Sequence, residues 1–153
     1  MLIKQIAKLI SDKINANELS LDTYVSTENL LSNFGGIKQA VSLPNTQATK
    51  FIEGDILLSN IRPYFKKTWY ALFSGGCSSD VLCLRVDSNI ANPKYIYYVL
   101  NTSAFVKLFV GSSKGTKMPR GDRQVLLNYS FKLPNKEIQQ HIVDTTLKGV
   151  YYA

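Results

Sequence analysis

Residues 80–86, DVLCLRV, alternate as a β-strand: Val81, Cys83 and Arg85 share one face, and Leu82, Leu84 and Val86 the other. Shortly after it, NPKYIYYVLNTSAFVKLFV carries helix signals, with Asn92 placed to cap and Pro93 at the first helical position. Ile96, Val99 and Leu100 form one stripe, and Ser103 is expected to cap a second short helix carrying Phe105, Val106, Leu108 and Phe109. Upstream, PNTQATKFIEGDILLSNIRPYFKKTWYALFSGG reads as strands joined by turns. Within it EGD at 53–55 is turn chemistry, ILLSNI a short buried strand, TWYALF another, and Gly75-Gly76 a break. Downstream, LNYSFKLP at 127–134 reads as a strand. Asn135 then caps a last helix, with Ile138, Ile142 and Val143 on one face and Gly149 as its stop. A chain of 153 residues that mixes these elements, without internal repeat or linker, is expected to form one α+β domain.

The N-terminus, MLIKQIAKLISDKI, spaces Leu2, Ile3, Ile6, Leu9, Ile10 and Ile14 as an amphipathic helix, and Asn15 to Asn17 are suited to ending it. Lys4, Gln5, Lys8 and Asp12 interrupt the apolar run, so it does not read as a signal peptide. No stretch reaches the roughly 18 consecutive apolar residues of a membrane span. Cys77 and Cys83 are the only cysteines; without a secretion signal they read as reduced thiols in a cytoplasm.

The formal net charge of +7 is unevenly placed. Residues 1–60 carry −1, residues 61–123 carry +7 and residues 124–153 carry +1. A basic middle third points to phosphate, anionic membranes or acidic proteins as partners. Two runs hold much of that charge: NIRPYFKK at 60–67 and SSKGTKMPRGDR at 112–123. Arg62, Lys66, Lys67, Lys114, Lys117, Arg120 and Arg123 suit phosphate, and arginine can also grip guanine. Ser112, Ser113 and Thr116 can donate to phosphate oxygens, while the glycines let the backbone approach closely. Tyr64 and Phe65 sit among the charges, and Pro119 is expected to stiffen the second run.

Enzyme chemistry finds little support. His141 is the lone histidine and lies in the C-terminal helix, which argues against a metal site with two distant cysteines. No serine sits in a nucleophile-elbow pattern. Gly111 to Gly115 is one residue short of a P-loop, Thr116 precedes Lys117, and neither a strand before nor a helix after is expected. Asp80, Asp87 and Asp122 are the only carboxylates in the basic region, and their spread does not suggest a two-metal nuclease.

Four pieces in series resemble the target recognition domain of type I restriction–modification specificity subunits: FIEGDILLSNIRPYFKKTWYA, GGCSSDVLCLRV, NPKYIYYVLNT and GTKMPRGDRQVLLNYSFKLPNKEIQQHI. They span roughly residues 20–143, and the closing Leu133, Pro134, Glu137, Gln140 and Ile142 fit the family's typical ending. The resemblance implies a non-catalytic subunit. It reads a split DNA sequence with two such domains, docks onto methyltransferase subunits that use S-adenosylmethionine to methylate adenine N6, and recruits a separate translocase-nuclease for restriction. By position, Arg62, Tyr64, Lys66 and Lys67 fall in the first motif; Lys114, Thr116, Lys117, Arg120 and Arg123 fall in the last. All are expected to flank DNA.

The resemblance divides the chain into a recognition domain, 1–134, and the start of a spacer helix, 135–153. That helix is shorter than the family's, and there is one recognition domain rather than two. The expectation is therefore a half-subunit, a truncated gene product or an expressed fragment. A half-subunit would have to form a homodimer to read a two-part site. The competing expectation is a degenerate fragment that docks onto a protein partner without reading DNA.

Overall fold

The computed structural model describes residues 1–112 and 121–147, with the side chain of Leu147 left aside. Its centre is the alternating strand, β8 (Val81–Val86). β8 pairs antiparallel with β1 (Ala7–Leu9) on one side and β5 (Ile56–Ser59) on the other, and β6 (Thr68–Tyr70) closes the far edge. The faces expected of β8 are the faces observed. Leu82, Leu84 and Val86, with Ile56 and Leu58, pack under the helices; Val81 and Cys83, with Leu57, pack against a second sheet.

That second sheet is ordered β2 (Lys13–Asn15), β4 (Gln47–Phe51), β7 (Gly75–Cys77) and β3 (Tyr24–Val25), with only the β3–β7 pair parallel. Gly75-Gly76, expected to break the pattern, therefore forms a buried strand instead. The physical reason is proximity. A Cβ on Gly75 would strike the Thr23 carbonyl, and one on Gly76 would stand 2.9 Å from Leu19 and 3.0 Å from Ala48. These glycines let the strands of the second sheet and the segment over them come together.

The N-terminus departs from its predicted helix. Only α1 (Ile3–Ile6) is helical; β1 and β2 follow, joined to different sheets. The isoleucines at helical spacing are β-branched and lose rotamer freedom in a helix. The free edges of β8 and β4 offer the same residues a hydrogen-bonded ladder: Ala7 lies opposite Val86, and Ile14 opposite Ala48.

The helical layer follows the sequence more closely. α2 (Pro93–Leu100) is capped by Asn92, whose side chain accepts from the Lys94 and Tyr95 N–H groups. α3 (Ser103–Gly111) is capped one residue earlier than expected, by Thr102, which accepts from Phe105 N–H. A short α4 (Arg123–Leu127) follows, capped by Asp122, where no helix was expected after the basic run. The strand expected at 127–134 reduces to a bridge between Ser130 and Leu2; Tyr129, Phe131 and Leu133 still point inward and pack on the core.

α5 (Lys136–Leu147) starts at Asn135, whose side chain accepts from Ile138 N–H at 2.9 Å. Its buried face is the expected one in part: Val143 is buried and Ile142 half-buried, but Ile138 is exposed and Gln139 takes its place. Gln139 accepts from Asn92 N–H at 2.8 Å and donates to the Pro134 carbonyl at 2.7 Å. This one buried amide ties the start of α5 to the cap of α2. The stop expected at Gly149 lies outside the described residues.

Both thiols are free and buried, and Cys83 Sγ lies 3.3 Å from Asp55 Oδ2. Burial pushes the Cys77 thiol up from about 9 to about 12, and the Asp55 carboxylate adds to it. Cys83 moves in the same direction for the same leading reason. The stabilisation from Cys77 is complete below about pH 9 and is lost as pH rises toward about 12, because the unfolded chain releases its proton first. A thiol-specific reagent at about pH 8 should label neither cysteine in the folded chain and both in urea. Rapid labelling of the folded chain would contradict this burial.

Candidate nucleic-acid interface

The run at 60–67 leaves β5 as a tight excursion and returns into β6. Ser59 N–H donates to the Lys67 carbonyl at 2.9 Å, closing its neck, and Ser59 Oγ donates to the Ile61 carbonyl at 3.1 Å. Pro63–Phe65 form a single 3₁₀ turn, flanked by Arg62 at φ 47° and Lys66 at φ 56°. Both are left-handed, a conformation costly for side chains other than glycine. Opposite them stand two more left-handed residues, Asn33 at φ 56° and Phe34 at φ 58°. The two turns hold each other: Asn33 N–H donates to the Phe65 carbonyl at 2.9 Å, and Phe34 N–H to the Lys66 carbonyl at 2.8 Å. Strain of this kind persists where surrounding structure over-determines it, and it clusters at functional sites.

This geometry presents Arg62, Tyr64, Phe65 and Lys66 on the surface. The Tyr64 and Phe65 rings meet edge to face at 4.7 Å. Lys67 is placed differently. It is half-buried, its ammonium donates to the Thr27 carbonyl at 2.7 Å, and it lies 5.8 Å from the Phe65 ring. In this arrangement Lys67 braces the loop from behind.

The second basic run is anchored next to the first. Gly121 N–H donates to the Asn60 carbonyl at 3.0 Å. Ser112 Oγ accepts from Asp122 N–H at 3.2 Å and donates to the Phe109 carbonyl at 2.7 Å, so it clamps the two ends of the segment between them. Ser113, Lys114, Thr116, Lys117 and Arg120, with Met118 and Pro119, lie outside the described residues. Arg123, at the start of α4, lines a cavity of about 280 Å³ with Lys13, Thr49 and Ser79, separate from the 62–66 turn.

A larger cavity, of about 600 Å³, opens between the 3₁₀ turn, the Asn33-Phe34 turn and α3. Tyr64 and Lys66 line it from one side, Phe34 from another, and Val106, Lys107 and Val110 from α3. Sequence reasoning missed Phe34 and Lys107 here. Phe34 lies in a stretch of mostly polar residues, LDTYVSTENLLSNFGGI, with no charge pattern to mark it, and Lys107 lies on a helix whose apolar residues dominate the pattern. The one available signal was NFGG at 33–36, since asparagine before glycines tolerates left-handed backbone.

Comparison with known proteins matches this chain to the Type I restriction modification DNA specificity domain over residues 4–148. No curated protein sequence matches it. Among solved structures, the HsdS subunit from Thermoanaerobacter tengcongensis is similar with a TM-score of 0.75 at 19% identity, over 97% of this chain and 40% of that one. A chain from a study of complex assembly and conformational transition of the type I R-M system gives 0.74 at 17% identity, over 97% and 41%. The type I restriction-modification S subunit from M. genitalium gives 0.67 at 15%, over 97% and 37%. This chain thus spans about two-fifths of the length of each. The likeness in structure establishes the α+β fold, and the family match over nearly the whole chain means that it belongs to the type I restriction–modification DNA specificity domain family.

Proposed function

We propose that this domain reads a short DNA sequence and so directs an adenine-N6 methyltransferase and a restriction complex to their site, without catalysing either reaction itself. The observation that carries this reading is the convergence of the two basic runs. The hydrogen bond from Gly121 to Asn60 sets the ends of the 112–123 segment beside the strained 60–67 loop. In this reading the charge of both segments would meet one phosphate backbone, and the adjoining ends of the two segments support it. Arg62, Tyr64 and Lys66 would approach the DNA from the first loop, and Lys114, Thr116, Lys117 and Arg120, with Ser113, from the second. Lys67 and Ser112 would hold the two loops in place, and Arg123 would lie at the margin.

The partners in this reading are double-stranded DNA, a methyltransferase subunit that carries S-adenosylmethionine, a restriction subunit and, for a two-part site, a second recognition domain. No described helix is long and apolar enough to cross a membrane; the reading places the complex with the DNA, in a prokaryotic cytoplasm.

The test is selection of bound duplexes from a randomised pool at about 50 mM salt, where a modest phosphate footprint still gives useful affinity. Enrichment of one motif is expected. Absence of any capture would overturn the reading in favour of a protein-docking fragment. A second check uses Lys66→Ala combined with Lys107→Ala, both exposed positions. Affinity should fall alike for every duplex, and the slope of log affinity against log salt should drop by about one unit per lost phosphate contact. An unchanged slope would remove this face from the interface.

A further inference from the structure

We propose that the 600 Å³ cavity beside the 60–67 loop takes a single unstacked nucleotide, its base against the Phe34 and Tyr64 rings and its phosphate between Lys66 and Lys107. The inference rests on the DNA-reading function above and adds to it a pocket for one nucleotide. Three observations carry it.

The first is shape. Bases that remain stacked are read by elements that protrude into a groove. A concavity of this size is instead in the range that encloses a small molecule, or a base turned out of the helix. Here a protruding turn and a concavity adjoin each other and share Tyr64 and Lys66.

The second is chemistry. The lining joins two aromatic rings and the apolar Val106 and Val110 to two lysines, and among the described residues no carboxylate lines it. Apolar and aromatic walls suit either face of a base, and the ammonium groups suit its phosphate.

The third is conformation. Phe34 and Lys66 both line the cavity and both hold left-handed backbone, fixed by the hydrogen bond from Phe34 N–H to the Lys66 carbonyl. A phenylalanine is strained there in a way a glycine would not be. The strained backbone fixes the direction of the Phe34 Cα–Cβ bond at the cavity wall before any ligand arrives.

The nucleotide can come from two sources, an everted residue of the bound duplex or a free mononucleotide. The experiment separates them with the whole chain. A duplex recovered from the selection is labelled with 2-aminopurine at each position in turn, and fluorescence is read on binding. In parallel, the four nucleoside 5′-monophosphates are titrated while the amides of α3 are followed by NMR. Eversion predicts a several-fold fluorescence rise at one position. The rise should disappear in Val106→Trp, which fills the cavity, and weaken in Lys107→Glu, an exposed change that keeps the test valid should the tryptophan variant misfold. A free-nucleotide site predicts α3 shifts from a monophosphate without any fluorescence response. Tight duplex binding with neither response overturns the pocket and leaves the DNA-reading function standing. If no duplex binds, that function fails, and the monophosphate titration alone decides the pocket.

Discussion

Asp55→Ala is expected to destabilise the folded domain by about 3–5 kcal/mol, the range for breaking one partner out of a buried ion pair. Asp55 is 1% exposed and sits at the turn that launches β5. The turn exists because Gly54 adopts φ 92°, which lets Asp55 N–H donate to the Ile52 carbonyl at 3.1 Å. The carboxylate then collects partners from three places. Arg85 on β8 grips it twice, Nε to Oδ1 at 2.9 Å and Nη2 to Oδ2 at 2.8 Å. Ile52 N–H donates to it at 2.9 Å, and the Cys83 thiol at 3.3 Å. The hydrogen bonds to Asp55 outweigh burial and raise the Arg85 pKa.

Alanine at 55 would strand the guanidinium, a backbone N–H and a thiol at once. The Arg85 side chain keeps 27% of its exposure, so water recovers part of the loss, and the effect should fall near the lower end of the range. Asp55→Asn retains an acceptor for Ile52 and should cost less. Urea denaturation of both variants checks the prediction; a loss below about 1 kcal/mol for alanine would show that the network contributes little.

Trp69→Ala should cost a further amount of similar size, about 3–5 kcal/mol. Trp69 is 6% exposed, lies opposite Leu57 across the β5–β6 ladder, and projects between the two sheets. Its ring meets Phe51 edge to face at 6.0 Å and Phe73 at 5.1 Å. Removing it would open a void that β-sheet backbones cannot collapse to fill. As the sole tryptophan it also reports its own unfolding by fluorescence in the parent chain. The variant should show a lower denaturant midpoint, while its folded fraction keeps the parent's DNA affinity. A fully stable variant that no longer binds DNA would place Trp69 at the interface instead.

The two basic runs were legible only in part. The sequence marks which residues could meet phosphate, because charge and residue type are local properties. It does not mark which of them point outward. Lys66 and Lys67 are neighbours with the same chemistry, yet Lys66 is exposed and Lys67 reaches back to Thr27, forty residues earlier in the chain. The left-handed turn at Lys66 makes that difference, and it depends on the Asn33-Phe34 turn across from it. Likewise Ser112 looks like a phosphate donor by type, but its hydroxyl closes the base of the loop.

By itself the sequence determined what depends on period and on neighbouring residues: the two faces of β8, the cap and proline that open α2, the asparagine that opens α5, and the basic excess of the middle third. Tertiary structure decided what depends on distant partners. Isoleucines spaced for a helix became two strand segments because β8 and β4 had free edges to fill. A glycine pair that reads as a break became a strand because neighbouring strands and Leu19 close over it. The proposed interface belongs to this second kind: electrostatic attraction for one ligand requires charges to share a face, and only the fold sets Gly121 against Asn60 and the 3₁₀ turn against Asn33 and Phe34.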